Sequence, residues 1–307
     1  MIAGPTGTGK SELAVRLAET IGGEVVNYDS VQIYRGFDIG SAKPSAELRA
    51  RVPHHLFDIV DADADFNAAS YARLAGETCS AILARRRAPL FVGGTGFYLR
   101  AFLGALPEIP ARDEAIRARL RRIASRPCGP SHLHRWLSRI DPVSAARIAP
   151  ADRHRVERAL EVWMISGRPI SNWPSPSADA PDARPAIKIA LSLDRAQSVG
   201  ILDQRVEEMY RAGLIEETRT LLTRFSRTSR PFTTIGYREA LAVVEGTMAL
   251  RDAVAETQRR TRAYAKRQMT WLRGERNLVW IDASDPEHTF SAALQHIEQH
   301  LRRPGEL

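Results

Sequence analysis

Hydrophobic residues in the first hundred positions recur with the periods of both helices and strands. Apolar positions spaced three and four apart predict helices over 10–21 and 70–87, while short apolar runs predict strands over 24–27 and 89–92. The second strand ends in a glycine-rich stretch at 93–96. Because strand, glycine turn and helix follow one another repeatedly, this part of the chain predicts a parallel β-sheet with helices on its faces.

From residue 112 to residue 166 the period is helical almost throughout. Asp141 followed by Pro142 is typical of a helix start, and Gly167 is typical of a helix end. The segment is therefore interpreted as a helical insertion into the α/β part. Its apolar stripes are formed by Ile116, Leu120 and Ile123, by Leu133, Trp136, Leu137 and Ile140, and by Val156, Leu160 and Trp163.

The rest of the chain returns to mixed patterns. A stretch rich in Pro, Ser, Ala and Asp at 168–185 predicts a loop or linker, and alternating apolar residues at 187–193 predict a strand that rejoins the first sheet. Further elements are predicted as helices over 202–225, 238–244 and 252–273 and a strand over 278–281. Residues 1–110 and 186–307 are thus expected to form one α/β core, and residues 111–185 a helical insertion domain with its linker.

Composition and cysteine usage exclude several classes of protein. The 307-residue chain is 44% apolar and 26% charged, as is typical of a globular protein in water. Cys79 and Cys128 are too few and too far apart for a disulfide framework or a zinc site. No run approaches the roughly 18 apolar residues that span a bilayer, and the first residues lack the pattern of a signal peptide. We therefore expect a cytoplasmic protein that does not contact a membrane; we also expect it to be a monomer.

Positive charge is concentrated in two segments. The net charge is +8, and residues 112–139 carry eight Arg against two acidic residues. Residues 251–276 carry eight basic residues against three acidic ones. One such run is often a solvated helix face, but two Arg-rich segments in one chain indicate a polyanionic partner such as RNA.

A phosphate-binding loop opens the chain. The sequence GPTGTGKS fits the pattern G-x-x-x-x-G-K-[ST] and precedes an amphipathic helix. Glycines let successive backbone N–H groups face one concavity, Lys10 reaches terminal phosphate oxygens, and Ser11 can ligate Mg²⁺. We predict an α/β fold of the P-loop NTPase type with a phosphate or diphosphate site, although the motif, which also binds ATP, does not name the ligand. The loop consists of Gly4, Pro5, Thr6, Gly7, Thr8, Gly9, Lys10 and Ser11.

Asp29 is the first candidate for chemistry beside this loop. It follows directly after the strand predicted at 24–27, at the edge where parallel sheets place their ligands. A carboxylate there either coordinates magnesium, as an aspartate of P-loop kinases does, or takes a proton from a nucleophile. The residues alone leave both roles open, together with a third in which the aspartate only caps the turn.

Seven ordered blocks give the chain a resemblance to the tRNA dimethylallyltransferases, also called tRNA isopentenyltransferases. The P-loop belongs to a very large class, but the order and spacing of all the blocks, which span nearly the whole chain, are specific. The pattern departs from the family before Gly4, where only Met1, Ile2 and Ala3 stand for the central strand. The blocks are GPTGTGKS (4–11), DSVQIYRGFDIGSAKP (29–44), VPHHLFDI (52–59), GGTGFYLRA (93–101), DP with ADRHRVERALEV (141–142, 151–162), TIGYREA (234–240) and YAKRQMTWLR (264–273).

The resemblance implies a transferase for tRNA modification. Such an enzyme moves the dimethylallyl group of dimethylallyl diphosphate to N6 of adenosine 37, beside the anticodon, in tRNAs that read codons beginning with U. The P-loop then binds the diphosphate with Mg²⁺ and needs no ATP. Expected partners are dimethylallyl diphosphate and the anticodon stem-loop of tRNA, and the helical insertion becomes a tRNA-binding domain.

Matching the blocks carries the family's functional residues onto this chain. Asp29 corresponds to the proposed general base and Thr95 to a threonine that contacts the reacting adenosine. Tyr264 and Trp271 lie on the apolar seam of their helix, so packing is the simpler expectation for both, although Trp271 belongs to a matched tRNA-contacting segment. The expected tRNA contacts are Asp29, Ser30, Val31, Gln32, Thr95, Arg117, His154, Arg155, Arg158, Thr233, Thr234, Gly236, Tyr237, Arg238, Lys266, Arg267, Gln268, Trp271 and Arg273. Arginines that hold the diphosphate in the helix after Asp194 are left unassigned.

Three other functions share part of this pattern. A P-loop small-molecule kinase uses a similar loop and aspartate, but it has no need of two Arg-rich segments. An adenylate isopentenyltransferase acting on free AMP shares the front half, but it lacks the long insertion. An RNA-binding NTPase switch accounts for the loop and the basic segments, but it gives Asp29 and the 93–96 glycines no joint purpose.

Overall fold

The computed structural model describes residues 1–104, 109–173 and 184–301. Its strands are β1 (Ile2–Ala3), β2 (Gly23–Asn27), β3 (His54–His55), β4 (Ala88–Val92), β5 (Lys188–Ser192) and β6 (Leu278–Asp282). Its helices are α1 (Lys10–Ile21), α2 (Ala46–Arg51), α3 (Ala68–Ala84), α4 (Gly96–Phe102), α5 (Glu114–Ala124), α6 (Gly129–Ile140), α7 (Pro142–Arg147), α8 (Arg153–Ser166), α9 (Arg195–Arg211), α10 (Leu214–Leu222), α11 (Tyr237–Val244), α12 (Leu250–Leu272) and α13 (Pro286–Leu301).

The described strands form one parallel sheet in the order β3-β2-β4-β1-β5-β6. β1 is only two residues long, yet it lies in the interior of the sheet, because Ile2 is in register with Val92 on one side and Ile189 on the other. Strand residues join Leu17 of α1 and Ile297 of α13 in one apolar core. The predicted α/β fold with a parallel sheet is confirmed.

Contacts divide the chain into two compact units. The first contains Met1–Leu103 and Asp182–Leu307, and the second contains Gly104–Pro181. The second unit has its own apolar core, in which α5, α6 and α8 contribute Leu120, Leu137 and Leu160. The helical content expected between residues 112 and 166 is present as four helices. The predicted helix start at Asp141 is confirmed, because Asp141 caps α7 by accepting a hydrogen bond from the Ser144 amide at 2.9 Å, and the predicted end at Gly167 is the C-cap of α8. Most of the predicted linker, residues 174–183, lies outside the described residues.

Several helices begin or end at residues other than those predicted, because side-chain caps and one glycine set their ends. The helix predicted over 202–225 is wrong as a single element: α9 and α10 are separated at Gly213, whose φ of +101° breaks the helix. α9 begins earlier than predicted, since Asp194 caps it by accepting from the Ala196 amide at 2.8 Å. α3 likewise begins at Ala68 because the Asn67 side chain accepts from two amides of its first turn. α2, β3, α4 and α13 have no counterpart in the sequence prediction.

Candidate active site

The phosphate-binding loop connects β1 to α1 at the carboxyl edge of the sheet. Gly7 and Gly9 have φ values of +84° and +74°, which side chains with a Cβ rarely adopt. Within the loop, the carbonyl of Pro5 accepts hydrogen bonds from Thr8 Oγ1 at 2.9 Å and from Lys10 Nζ at 2.5 Å. The N-terminus of a twelve-residue helix therefore opens directly onto the loop, which is the arrangement that binds phosphate groups.

A cavity of about 610 Å³ lies in front of this loop. Every residue that lines it belongs to the first unit. The walls come from four places in the chain: the P-loop, the segment after β2, the glycines after β4, and the helical part after β5. The lining includes Thr6 to Glu12, Asp29 to Gln32, Gly40 to Pro44, Gly93, Gly94, Arg205, Met209, Thr233 to Gly236, Tyr264 and Gln268.

Asp29 sits in a tight turn at the end of β2. Asn27 Oδ1 accepts the Asp29 N–H at 2.9 Å, and Asp29 Oδ1 in turn accepts the amides of Val31 at 2.8 Å and Gln32 at 3.4 Å. Burial raises the pKa of Asp29, whereas these two amides, and then the charge of Lys10, oppose the rise. A carboxylate whose pKa is raised is a better proton acceptor, so the site suits general-base chemistry.

Thr95 joins the glycine-rich loop to this turn. Its hydroxyl accepts the Ser30 amide at 3.0 Å and donates to Ser30 Oγ at 3.1 Å. Tyr264 approaches from α12, where burial raises its pKa and hydrogen bonds with Thr95 and Gln268 oppose that rise. The two residues predicted to be catalytic, Asp29 and Thr95, are therefore brought together through Ser30.

Gln268 connects two of the cavity walls. Its Oε1 accepts the Thr6 amide at 3.0 Å and its Nε2 donates to the Gly94 carbonyl at 3.1 Å. A Cβ at position 94 would lie 2.3 Å from Nε2, so glycine here lets the Gln268 side chain hold this position. Gln268 is 7% exposed, and both ends of its side-chain amide are hydrogen-bonded to other parts of the protein. One turn further along, Trp271 packs on Gly96, where a Cβ would lie 2.2 Å from the indole ring.

Two cations face the same cavity. Burial, followed by the charge of Arg205, lowers the pKa of Lys10 to about 7. Burial also lowers the pKa of Arg205, and Asp29 opposes this shift. Arg205 lies on α9 and lines the cavity, so it supplies a second positive charge for an anionic ligand. The sequence left it unassigned, because Gln204 and Arg205 stand where the family has a basic pair and the pattern of this helix departs from that family.

The segment before α11 divides into exposed and buried residues. Thr233, Thr234 and Gly236 line the cavity, and Arg238 is exposed. Tyr237, another residue predicted to contact tRNA, is 0% exposed. Because this side chain is fully buried inside the first unit, it packs against the protein and cannot make the predicted contact with tRNA.

Uncompensated positive charge on α12 is found in its last turns and just beyond. Arg259, Arg260 and Arg262 are paired with Glu256, Glu239 and Asp203. Lys266, Arg267 and Arg273 are exposed, and no ion pair to them is found within the described part of the chain. The Arg267 guanidinium lies 5.7 Å from the centre of the Tyr264 ring. The cations that remain available to a polyanion therefore lie next to a residue of the cavity wall.

In the second unit, the predicted RNA contacts differ in how far they are available. His154 and Arg155 are exposed in the first turn of α8, and Arg155 lies 3.3 Å from Asp152. Arg117 lies 3.4 Å from Glu114. Arg158, by contrast, donates to the Pro110 carbonyl at 2.6 Å and to Glu161 at 2.8 Å, so its observed contacts hold the unit together.

A parallel sheet with a P-loop at its carboxyl edge and an aspartate beside it defines a P-loop enzyme that binds a phosphorylated substrate. Residues 32–275 match the family described as IPP transferase, and residues 1–56 match the family described as isopentenyl transferase. The tRNA dimethylallyltransferases of Geobacter sulfurreducens and Solibacter usitatus are 46% and 47% identical to the chain, cover 92% and 91% of it, and are each covered to 91% of their own length. The chain belongs to this family of prenyltransferases.

Solved structures agree with this assignment. A full-length tRNA isopentenylpyrophosphate transferase from Bacillus halodurans is 36% identical, with a TM-score of 0.72 and 98% and 96% of the two chains covered. A eukaryotic dimethylallyltransferase, described as acting on tRNA, is 26% identical with a TM-score of 0.77, and the match covers 99% of this chain and 79% of that one. Among the described residues, no helix is both long and apolar enough to cross a membrane.

Proposed function

We propose that the protein transfers the dimethylallyl group of dimethylallyl diphosphate to N6 of adenosine 37 in the anticodon loop of tRNAs that read codons beginning with U. The observation that carries this proposal is one cavity in which the P-loop and Lys10 face the same space as the Asp29 carboxylate. Prenylation of an amine requires a site for the leaving diphosphate and a proton acceptor beside it, and this shared cavity supports that assignment.

The diphosphate end is bound by fixed positive groups. The loop amides and the α1 N-terminus offer hydrogen bonds to phosphate oxygens, while Lys10 and Arg205 add charge from two different helices. Negative charge gathers on the diphosphate as its bond to the allylic carbon breaks. Donors already oriented toward that charge stabilise the transition state more than the ground state, and such electrostatic contributions are often the largest in catalysis.

Magnesium fits this donor set as a partner of the diphosphate. The described residues contain no cluster of three or more His, Cys, Asp or Glu that could hold a metal by itself. Ser11 lines the cavity at the start of α1, and Mg²⁺ is commonly held by one or two protein groups together with substrate phosphates and water. Ser11 would hold the ion, which would supply charge neutralisation of the leaving diphosphate.

The chemical step needs one base and no covalent protein intermediate. The N6 lone pair forms a bond to the allylic carbon while the carbon–oxygen bond breaks, and the electron pair of that bond leaves with the diphosphate. The N6 proton passes to the Asp29 carboxylate and from there to solvent. Because an exocyclic adenine amine is a poor nucleophile, a positioned base contributes about 10²–10⁴ in rate.

The RNA is held by charge and by the cavity wall. Lys266, Arg267 and Arg273 provide exposed positive charge for backbone phosphates, which position an RNA without reading its sequence. The target base leaves its stack to enter the cavity, at a cost of roughly a few kcal/mol that is smaller for a loop base than for a paired one. Thr95, on the glycine-rich loop, contacts the extruded adenine.

Free AMP is the competing acceptor, because the match of residues 1–56 to the isopentenyl transferase family includes the P-loop and Asp29. A defined RNA separates the two. With dimethylallyl diphosphate and Mg²⁺, an unmodified anticodon stem-loop should gain one dimethylallyl group at adenosine 37, located by mass spectrometry of nuclease fragments. The same RNA with guanosine at that position, and AMP, should stay unmodified. Modification of AMP or of other adenosines would overturn the proposal.

A further inference from the structure

Glu217, outside the predicted site, binds three successive backbone amides. Its carboxylate accepts the N–H groups of Asp38 at 3.2 Å, Ile39 at 2.9 Å and Gly40 at 3.5 Å. Tyr237 donates its hydroxyl to the same carboxylate at 2.5 Å. Consecutive amides that converge in this way form an anion-binding concavity, and here the anion is a side chain of the protein itself.

The loop carrying these amides is seated closely on two helices. The Tyr237 hydroxyl accepts the Gly40 amide at 3.2 Å. A Cβ at Gly40 would lie 2.6 Å from the Tyr237 ring and 2.8 Å from Leu214, so the close approach requires glycine. Glu217 on α10 and Tyr237 on α11 therefore fix the position of this loop, which continues into the cavity wall at Ser41 and Ala42.

The same loop holds the turn that carries the base. Gln32 Nε2 donates to the carbonyls of Ser41 and Ala42, at 3.1 Å each. The backbone N–H of Gln32 is one of the two N–H groups from which Asp29 Oδ1 accepts a hydrogen bond. Hydrogen bonds, joined by the backbone of residues 38–42 and by Gln32 itself, therefore connect Glu217 to Asp29.

We propose that Glu217 is a positioning residue that fixes the 38–42 loop and, through Gln32, the orientation of the Asp29 carboxylate in the prenyl-transfer site. The inference rests on the proposed function, because it gives Glu217 a purpose in the same reaction. Glu217 touches neither the cavity nor the reacting atoms, and it acts only through the residues that it holds.

We expect variants of Glu217 to keep the fold, because Lys43 holds the same loop through contacts of its own. Its Nζ, on a side chain that is 2% exposed, contacts the Tyr34 carbonyl at 2.7 Å and the carboxylates of Asp38 at 2.6 Å and Asp58 at 2.5 Å. The variant Glu217→Gln keeps the shape of the side chain and one acceptor oxygen, but it loses the charge that strengthens the amide bonds. Glu216→Gln is the matched control, since it removes the same charge from the exposed neighbouring position.

Kinetics with the full chain, dimethylallyl diphosphate, Mg²⁺ and the anticodon stem-loop test the proposal. We expect Glu217→Gln to lower kcat about tenfold, since small misplacements of a catalytic group reduce rates strongly, and to change Kd for dimethylallyl diphosphate less than about twofold. Glu216→Gln should match wild type. Wild-type kcat in Glu217→Gln would overturn the inference while the proposed function stands; an inactive wild type would overturn the function itself.

Coupling to Gln32 separates positioning from general loosening of the structure. Gln32→Leu removes the side-chain amide that donates hydrogen bonds to the carbonyls of Ser41 and Ala42. If Glu217 acts through Gln32, the double variant should have nearly the kcat of Gln32→Leu alone, whereas independent effects multiply. Multiplication would contradict the proposal. Amide hydrogen exchange of residues 37–43 gives a readout without activity: protection should fall in Glu217→Gln and stay unchanged in Gln32→Leu.

The pH profile gives a further signature. The backbone N–H of Gln32 stabilises the ionised form of Asp29. If the turn is loosened in Glu217→Gln, the pKa of the Asp29 carboxyl rises, and the acidic limb of the kcat–pH profile moves to higher pH. An unmoved limb would count against the proposal. The groups that face Asp29 and stay unchanged in the variant are Lys10 of α1, Arg205 of α9, Tyr264 of α12, and Tyr28.

Discussion

The backbone amide of Thr6 donates to Gln268 Oε1 at 3.0 Å, although 262 positions separate the two residues in the chain. This bond ties the P-loop to α12, and the other end of the same side chain reaches the Gly94 carbonyl. The part of the site for the leaving diphosphate and the loop that carries Thr95 thus share one buried amide. Their spacing is set by a side chain and not by the sheet alone.

Replacing Gln268 with leucine should therefore loosen both loops together. Gln268→Leu leaves the Thr6 amide and the Gly94 carbonyl, which line the cavity, without this partner, and the loss of a hydrogen bond of this kind costs about 0.5–1.5 kcal/mol. We expect a lower free energy of unfolding in urea, together with a lower kcat and a raised KM for dimethylallyl diphosphate. Gln258→Leu, which removes a longer bond of 3.3 Å on the same helix, is the control and should change each value less. Equal effects of the two variants would contradict the role given to Gln268.

Removing the carboxylate of Asp29 should slow the chemical step without weakening the binding of dimethylallyl diphosphate. Asp29→Asn retains an oxygen for the amides of Val31 and Gln32 but accepts no proton, so kcat should fall by about 10²–10⁴. The Kd for dimethylallyl diphosphate and the unfolding midpoint should stay near wild type, and the exposed Asp63→Asn should behave as wild type throughout. A loss of less than threefold in kcat would assign the proton to another acceptor.

The pH dependence of wild-type kcat follows from the direction of the Asp29 shift. Burial raises the pKa of this carboxyl, and the base works only when ionised. Activity should thus rise with pH along a limb that lies above the ordinary range of an aspartate, and this limb should be absent from the residual activity of Asp29→Asn. The same limb in both proteins would show that a different group titrates.

Binding of the diphosphate should take up a proton above neutral pH. In the free protein the pKa of Lys10 is lowered to about 7, so at pH 8 the amine is mostly neutral, whereas a bound diphosphate raises the pKa and recharges it. Affinity should weaken by up to about tenfold for each pH unit above this value until the pKa of the complex is reached. Calorimetry at pH 8 in buffers of different ionisation enthalpy measures the uptake.

The matched variant for this experiment is Lys10→Arg. Arginine stays charged across the accessible pH range, so binding should proceed without that proton. An uptake of the same size in the variant would place the titrating group elsewhere, and the absence of uptake in the wild type would contradict the lowered pKa.

Arginines on α12 should contribute to RNA binding according to whether they are paired. Arg267→Gln should weaken binding of the anticodon stem-loop about threefold to tenfold and reduce the slope of affinity against salt by about 1. The Kd for dimethylallyl diphosphate should not change. Arg259→Gln serves as the comparison and should lose less, because Glu256 already occupies that guanidinium. An equal loss of affinity for both substrates would contradict this separation of roles.

Local sequence signals predicted the part of the site that depends on neighbouring residues. The P-loop geometry is encoded within residues 4–11, and Asp29 follows a recognisable strand, so both could be placed before the fold was known. The sheet could be predicted because its strands are short apolar runs that end in glycine or polar turns. The break at Gly213 was missed, since the apolar period continues across it and only the positive φ ends the helix.

The remaining residues of the site could not be predicted because their partners lie far along the chain. Arg205 and Glu217 acquire their roles from their positions beside Lys10 of α1 and the 38–40 loop, and nothing in their local sequence distinguishes them from surface residues. Gln268 belongs to a matched block and is expected from it to contact tRNA, but its bond to the P-loop could not be predicted, because 262 positions separate it from Thr6. Tyr237 shows the opposite problem. Its sequence block resembles an RNA-contacting segment, yet its buried hydroxyl is hydrogen-bonded to Glu217 and Gly40.

Transfer of labelled dimethylallyl groups tests the central claim most directly. The protein is incubated with dimethylallyl diphosphate labelled in the prenyl group, Mg²⁺, and either unmodified tRNA or AMP, alongside the Asp29→Asn variant. The account predicts label in tRNA, none in AMP, and a loss of about 10²–10⁴ in rate for the variant. Label that enters AMP and not tRNA would contradict it.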